Sequence, residues 1–182
     1  MVVDSNLPDD EKMFIKTWLY RASERKGIDK ADRFISLWIS FNAWLKSKYG
    51  HLESRHGGKI CEYELVEKAG HNKKLKSIFD GIKKEERYRK KLSRIELFAI
   101  KNMRDPQDKS KYKRVEPGEK EFSSLMDAIY QIRCNLFHGR KNVSEKEGED
   151  WELVCLAYDL LFPIFDSYVK GHIILKRQKN KI

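Results

Sequence analysis

The stretch from Phe34 to Leu45 limits what this chain can fold into more than any other segment. Phe34, Ile35, Leu37, Trp38, Ile39, Phe41, Trp44 and Leu45 leave a helix through this region with almost no polar side. A helix that is apolar around its whole circumference is stable only where other elements surround it, so it belongs at the centre of a bundle. The helix is expected to start after Asp29. Asn42 lies inside the apolar run and is expected to be a core amide that finds a hydrogen-bond partner, rather than a catalytic group.

The flanking sequence supplies the surrounding helices. Asp4 or Ser5 can cap a first helix whose opening turn holds Pro8 and the acidic run Asp9-Asp10-Glu11, where the helix dipole favours negative charge. Phe14, Trp18 and Ala22 follow one another at helical spacing until Gly27. Residues 50–59 read as a loop, and its His51 and His56, without matched ligands, as surface residues rather than a metal site. Two or three shorter helices follow. One carries a stripe of Leu75, Ile78, Phe79 and Ile82, another a stripe of Tyr88, Leu92, Ile95 and Ala99. The polar segment from Arg104 to Lys120, with Pro106, Pro117 and Gly118, reads as a long basic loop.

A helix from about Glu119 to Phe137 comes next, then a last one starting near Ser144, where Ser144 and Glu147 have capping-box spacing. Trp151, Val154, Cys155, Tyr158, Leu161, Phe162, Phe165 and Val169 form its apolar stripe; Pro163 should kink or break it, and Gly171 can end it. The aromatic stripes at helical spacing are read as core, not as base-stacking platforms. The expected fold is an all-α helical bundle of about five to seven helices, one domain over residues 1–182 with a basic tail from about 173.

Composition narrows the function classes. With 40% hydrophobic residues the chain can bury a core and is not disordered as a whole. No apolar run approaches the roughly 18–20 residues of a membrane span, and the N-terminus lacks the basic and apolar regions of a secretory signal. The expectation is a cytoplasmic chain with no membrane partner. Cys61, Cys134 and Cys155 are too widely spaced for a metal site and are read as reduced thiols. A net charge of +10 favours polyanionic partners, nucleic acid first; the plainer alternative is a solvated basic surface.

The stretch from Phe122 to Gly139 carries the one constellation with chemistry in it. Phe122, Met126, Ile129 and Leu136 form an apolar stripe, and Arg133 falls in its middle. A permanent cation there needs a carboxylate partner, such as Asp127 or Glu152, or it faces a site or an interface. His138 follows five residues later, just before the helix-terminating Gly139; Asn135 can steady it, and Arg140 and Lys141 add charge past the helix end. Histidine exchanges protons near neutral pH, and arginine grips phosphate and offsets transition-state charge. Together they suit RNA cleavage that needs no metal and no cofactor. The structural alternative for His138 is a cation at the helix C-terminus, and an Arg-x4-His spacing also arises by chance.

The run Ile132-Arg133-Cys134-Asn135-Leu136-Phe137-His138-Gly139 resembles the signature of the HEPN-domain family, an Arg followed four to six residues later by a His at the end of a bundle helix. The segment Arg33 to Trp44 resembles the core helix of several HEPN-like families, and the motif helix is the penultimate long one, as in that family. The resemblance implies a homodimer in which two motif helices bring both Arg–His sets into one cleft. It implies a metal-independent endoribonuclease of toxin–antitoxin, abortive-infection or antiviral systems, paired with an antitoxin or regulatory protein, or an inactive nucleic-acid- or nucleotide-binding module. In these terms Arg133, His138 and Asn135 are the catalytic set and Arg140 and Lys141 hold substrate. Cys134 departs from the pattern, since active members commonly carry Asn, Asp or His after the arginine, and a thiol is a weak hydrogen bonder.

Overall fold

A computed structural model describes residues 7–24, 26–137 and 148–179, with side chains to residue 171. Among these residues the chain forms seven α-helices: α1 Asp9–Ser23, α2 Lys30–Tyr49, α3 Glu62–Gly70, α4 Lys73–Ile82, α5 Glu86–Glu96, α6 Glu121–Phe137 and α7 Gly148–Lys179. The described residues contain no strand, only two isolated bridges, Glu53 with Lys59 and Ile100 with Lys113. The all-α bundle expected from the periodicity is therefore observed.

The apolar circumference of α2 puts it at the centre, against α1, α3 and α7. Phe34, Leu37, Trp38, Phe41, Trp44 and Leu45 are buried, whereas Ile35 and Ile39 are only half-buried. Phe41 meets Phe165 of α7 edge-on at 5.1 Å between centroids, and Trp44 meets Tyr168 at 5.0 Å. Helix α2 starts after Asp29 as expected, and Asp29 caps it, accepting from the Asp32 amide at 3.0 Å. The buried Ser40 hydroxyl donates to the Ile15 carbonyl at 2.6 Å and ties α1 to α2. Asn42 differs from expectation: its Oδ1 is buried without a hydrogen-bond partner, as is the Trp44 indole N–H. Packing of this aromatic face outweighs the two polar atoms it strands.

Helix α7 also differs, running through both Pro163 and Gly171 to Lys179. An interior proline costs a helix about 3 kcal/mol and a glycine about 1 kcal/mol. Burial of Val154, Tyr158, Leu161, Phe165 and Tyr168 on one stripe outweighs the proline's share. The tail expected from about residue 173 is thus helical as far as Lys179. Helix α1 starts at Asp9 with Pro8 at its N-cap, so neither Asp4 nor Ser5 caps it and Pro8 precedes its first turn. The proposed capping pair Ser144 and Glu147 lies outside the described residues. The α5 stripe ends at Glu96, so Ala99 falls beyond the helix.

Two carboxylates of α3 fasten the loop before it: Glu67 pairs with Arg55 at 2.8 Å, and Glu64 gathers the remaining bonds. Glu64, 4% exposed, accepts from the Arg55 and Cys61 amides at 3.0 and 3.1 Å and from the Ser54 hydroxyl at 3.1 Å. These hydrogen bonds, the Arg55 and Cys61 amides foremost, hold its pKa down at about 2 against an ordinary 4.5. A carboxyl with a depressed folded-state pKa adds stability that is complete above pH 4.5 and disappears as pH falls towards 2. In Glu64→Gln the urea midpoint should lie below wild type at pH 6, with the gap closing between pH 4.5 and 2. A gap that stays constant over that range would show that Glu64 does not clamp the loop as a carboxylate.

Candidate functional site

Helices α3 and α6 lie antiparallel, with Glu62 opposite Arg133 at one end and Gly70 opposite Ser123 at the other. The close approach depends on Gly70: a Cβ there would meet Ser123 Cα at 3.2 Å. This packing delivers a carboxylate from α3 to the arginine that interrupts the apolar stripe of α6. Arg133 Nη1 lies 2.9 Å from Glu62 Oε2, and the two side chains are 17% and 23% exposed, so the pair is shielded without being sealed. The partners suggested by spacing are engaged elsewhere. Asp127 lies 3.9 Å from Lys113, and Glu152 forms a two-pronged pair with Arg94.

Three aromatic residues shape the arginine's surroundings. Trp38 donates its indole N–H to Glu62 Oε1 at 3.1 Å, so the carboxylate receives the indole on one oxygen and the guanidinium on the other. The guanidinium carbon sits 5.6 Å from the Trp38 ring centroid and 4.6 Å from that of Phe137, the last residue of α6 and 45% exposed. Tyr130 packs between Trp38 and Tyr63 at 6.1 and 5.8 Å. Burial, then the neighbouring Cys134 sulfur and Glu62, push the Tyr130 phenol well above its ordinary value, so it stays protonated at neutral pH. Only one edge of the guanidinium is used by carboxylate. Its Nε is buried and has no hydrogen-bond partner, as is true of Asn42 Oδ1 and the Trp44 indole in the core.

Asn135 occupies a different place from the one its sequence position suggested. It is 3% exposed, donates to the Lys101 carbonyl at 2.8 Å, and accepts from the Met103 amide at 3.3 Å and Gln131 Nε2 at 2.9 Å. None of these bonds reaches Arg133. They fasten the basic segment between α5 and α6 to the end of the motif helix, two residues from Arg133. That segment is also closed on itself by reciprocal backbone bonds between Ile100 and Lys113 at 2.8 and 2.9 Å. Part of its charge is met internally, since Lys111 pairs with both Asp105 and Asp108. Lys101, Lys109 and Arg114 remain exposed.

His138, Arg140 and Lys141 lie outside the described residues; His138 follows Phe137 directly in sequence. Among the described residues no group of three or more His, Cys, Asp or Glu is placed to hold a metal ion, and no helix is long and apolar enough to cross a membrane. Sequence reasoning missed Glu62, Trp38 and the Asn135 clamp. No local pattern marks a first-turn glutamate as the partner of an arginine on another helix; only the unpaired look of Arg133 signalled that a partner was needed.

Asn135→Ala should lower unfolding free energy by about 2–3 kcal/mol, because it strands two backbone groups at once. Chemical denaturation checks this, and an unchanged midpoint would mean that the amide is not a structural clamp. Comparisons of the chain with protein-family models, curated proteins and solved structures gave no match.

Proposed function

We propose that the protein is a metal-independent endoribonuclease of HEPN type, with Arg133 and His138 as its working pair. The observation that carries this reading is the half-satisfied guanidinium of Arg133. Glu62 takes one edge of it, Trp38 and Phe137 flank it, its side chain stays 17% exposed, and it stands five residues before His138 in sequence. Arg133 binds the scissile phosphate and offsets the charge that builds on its oxygens. His138 takes the proton of the ribose 2′-hydroxyl; the 2′-oxygen bonds to phosphorus as the bond to the 5′-oxygen breaks, and the leaving oxygen receives a proton. The products are a 2′,3′-cyclic phosphate and a free 5′-hydroxyl. Pairing of two copies along α6 brings two such sets to one cleft and supplies one imidazole as base and another as acid. Arg140 and Lys141, with the basic segment that Asn135 holds beside the helix end, attract flanking phosphates. Such an enzyme acts in the cytoplasm as a toxin or defence effector restrained by an antitoxin or regulatory protein.

The second reading is an HEPN-like binding module without catalysis. Two observations favour it: Glu62 already partners Arg133, and Cys134 replaces the polar residue usual after the arginine. The two readings part on product. With labelled single-stranded RNA in EDTA, wild type should cleave, and His138→Ala should lower the rate on the order of a hundredfold or more while RNA binding is kept. Arg133→Ala should cost about a hundredfold. Salt-sensitive binding with no product would establish the module instead, and cleavage that survives His138→Ala or requires a divalent ion would refute the enzyme reading.

A further inference from the structure

A second concentration of positive charge lies on different elements, in a cleft of about 410 Å³ between the starts of α2 and α5 and the middle of α7. Lys30, Arg33, Arg87 and Lys91 line it, with Asp159 as the one carboxylate. That carboxylate is divided between two ammonium groups, 2.8 Å from Lys30 and 2.7 Å from Lys91, and cannot neutralise both. Burial raises the Asp159 pKa, but the two lysines outweigh it and hold the group ionised. Arg33 is locked in place by neutral groups: Nε donates to the Ala22 carbonyl at 3.0 Å, Nη2 donates to the Tyr158 hydroxyl, and the guanidinium lies 4.3 Å over the Tyr158 ring. Neither Arg33 nor the exposed Arg87 has a carboxylate partner among the described residues.

Pairing with Asp159 accounts for part of this grouping and leaves a net positive charge in the cleft. Lys30 and Arg87 stand in the first turns of α2 and α5, where the helix dipole disfavours cations, and the acidic caps Asp29 and Glu85 offset only part of that cost. An anion between the four cations removes the repulsion. The cleft also has an apolar side. Phe162, half-buried and stacked on Tyr158 at 5.3 Å between centroids, lines it together with Pro163. An adjoining lobe of about 220 Å³ shares Arg87, Lys91, Asp159 and Pro163 and adds Ile82 and Tyr88, with Glu85 as its further acid. A polar end of strong positive charge beside an apolar wall, within the size range of small-molecule sites, selects a compact ligand with two characters.

We propose that this cleft binds a small ligand carrying two or more adjacent phosphates and a planar apolar group, the phosphates among Lys30, Arg33, Arg87 and Lys91 and the planar group against Phe162 and Pro163. The proposal uses none of the residues assigned to RNA cleavage and stands or falls separately from that reading.

Calorimetric titration of the full chain with ATP at physiological salt tests it, with inorganic pyrophosphate and adenosine as the two halves of the probe. ATP should bind saturably, pyrophosphate should compete for the same site, and adenosine should bind far more weakly. Arg87→Glu, an exposed change outside the core, should weaken ATP by about tenfold or more, while Arg133→Ala leaves it unchanged. The proposal is overturned by any of three results: no saturable binding of ATP or pyrophosphate, ATP binding indifferent to Arg87→Glu, or binding lost in Arg133→Ala. An RNA oligonucleotide that depends on Arg87 while ATP does not bind would also overturn it and make the cleft part of an RNA track.

Discussion

The structure depends on burying the aromatic face of α2, and Trp38 is where that burial becomes a site. Its ring is 1% exposed and packed among Phe34, Phe41 and Tyr130, so its position is set by the core. Its indole N–H holds Glu62, and Glu62 holds Arg133. A long, flexible side chain near a half-exposed helix end is thereby held in one geometry by a carboxylate that the core indole anchors.

The same chain of contacts places the arginine in an intermediate electrostatic state. A sealed ion pair would leave nothing for a ligand, and an unpaired buried guanidinium would destabilise the fold. Glu62 compensates the charge in the free protein, while the aromatic faces of Trp38 and Phe137 limit its hydration. In the proposed reading an incoming phosphate would meet a cation that is already positioned and partly dehydrated, with Glu62 offsetting part of its charge. Asn135 complements this by fastening a basic segment beside the helix end instead of acting on the arginine.

The sequence was informative where the information is local. The apolar run of α2 and its start after Asp29, the stripes of α4 and α5 and the extent of α6 follow from periodicity. Arg133 was singled out because it breaks a local rule. What was not legible depends on tertiary contacts. Proline and glycine argue locally for breaking α7, yet the stripe packed on α2, α4 and α5 holds the helix together through Pro163. Asn135 looks like a second polar member of a motif, and only the path of a loop some thirty residues earlier turns it into a clamp. The basic cleft is likewise invisible in one dimension, since its four cations come from α2 and α5 and are gathered beside α7 only by the tertiary fold.

In the proposed reading the Arg133–His138 pair promotes attack of the ribose 2′-oxygen on the adjacent phosphate, and the ends of the products report whether it does. Mass spectrometry of a defined oligonucleotide incubated with the protein in EDTA should find 2′,3′-cyclic phosphate and 5′-hydroxyl termini. Fragments bearing 5′-phosphate and 3′-hydroxyl ends, or an oligonucleotide that remains intact, would contradict the account.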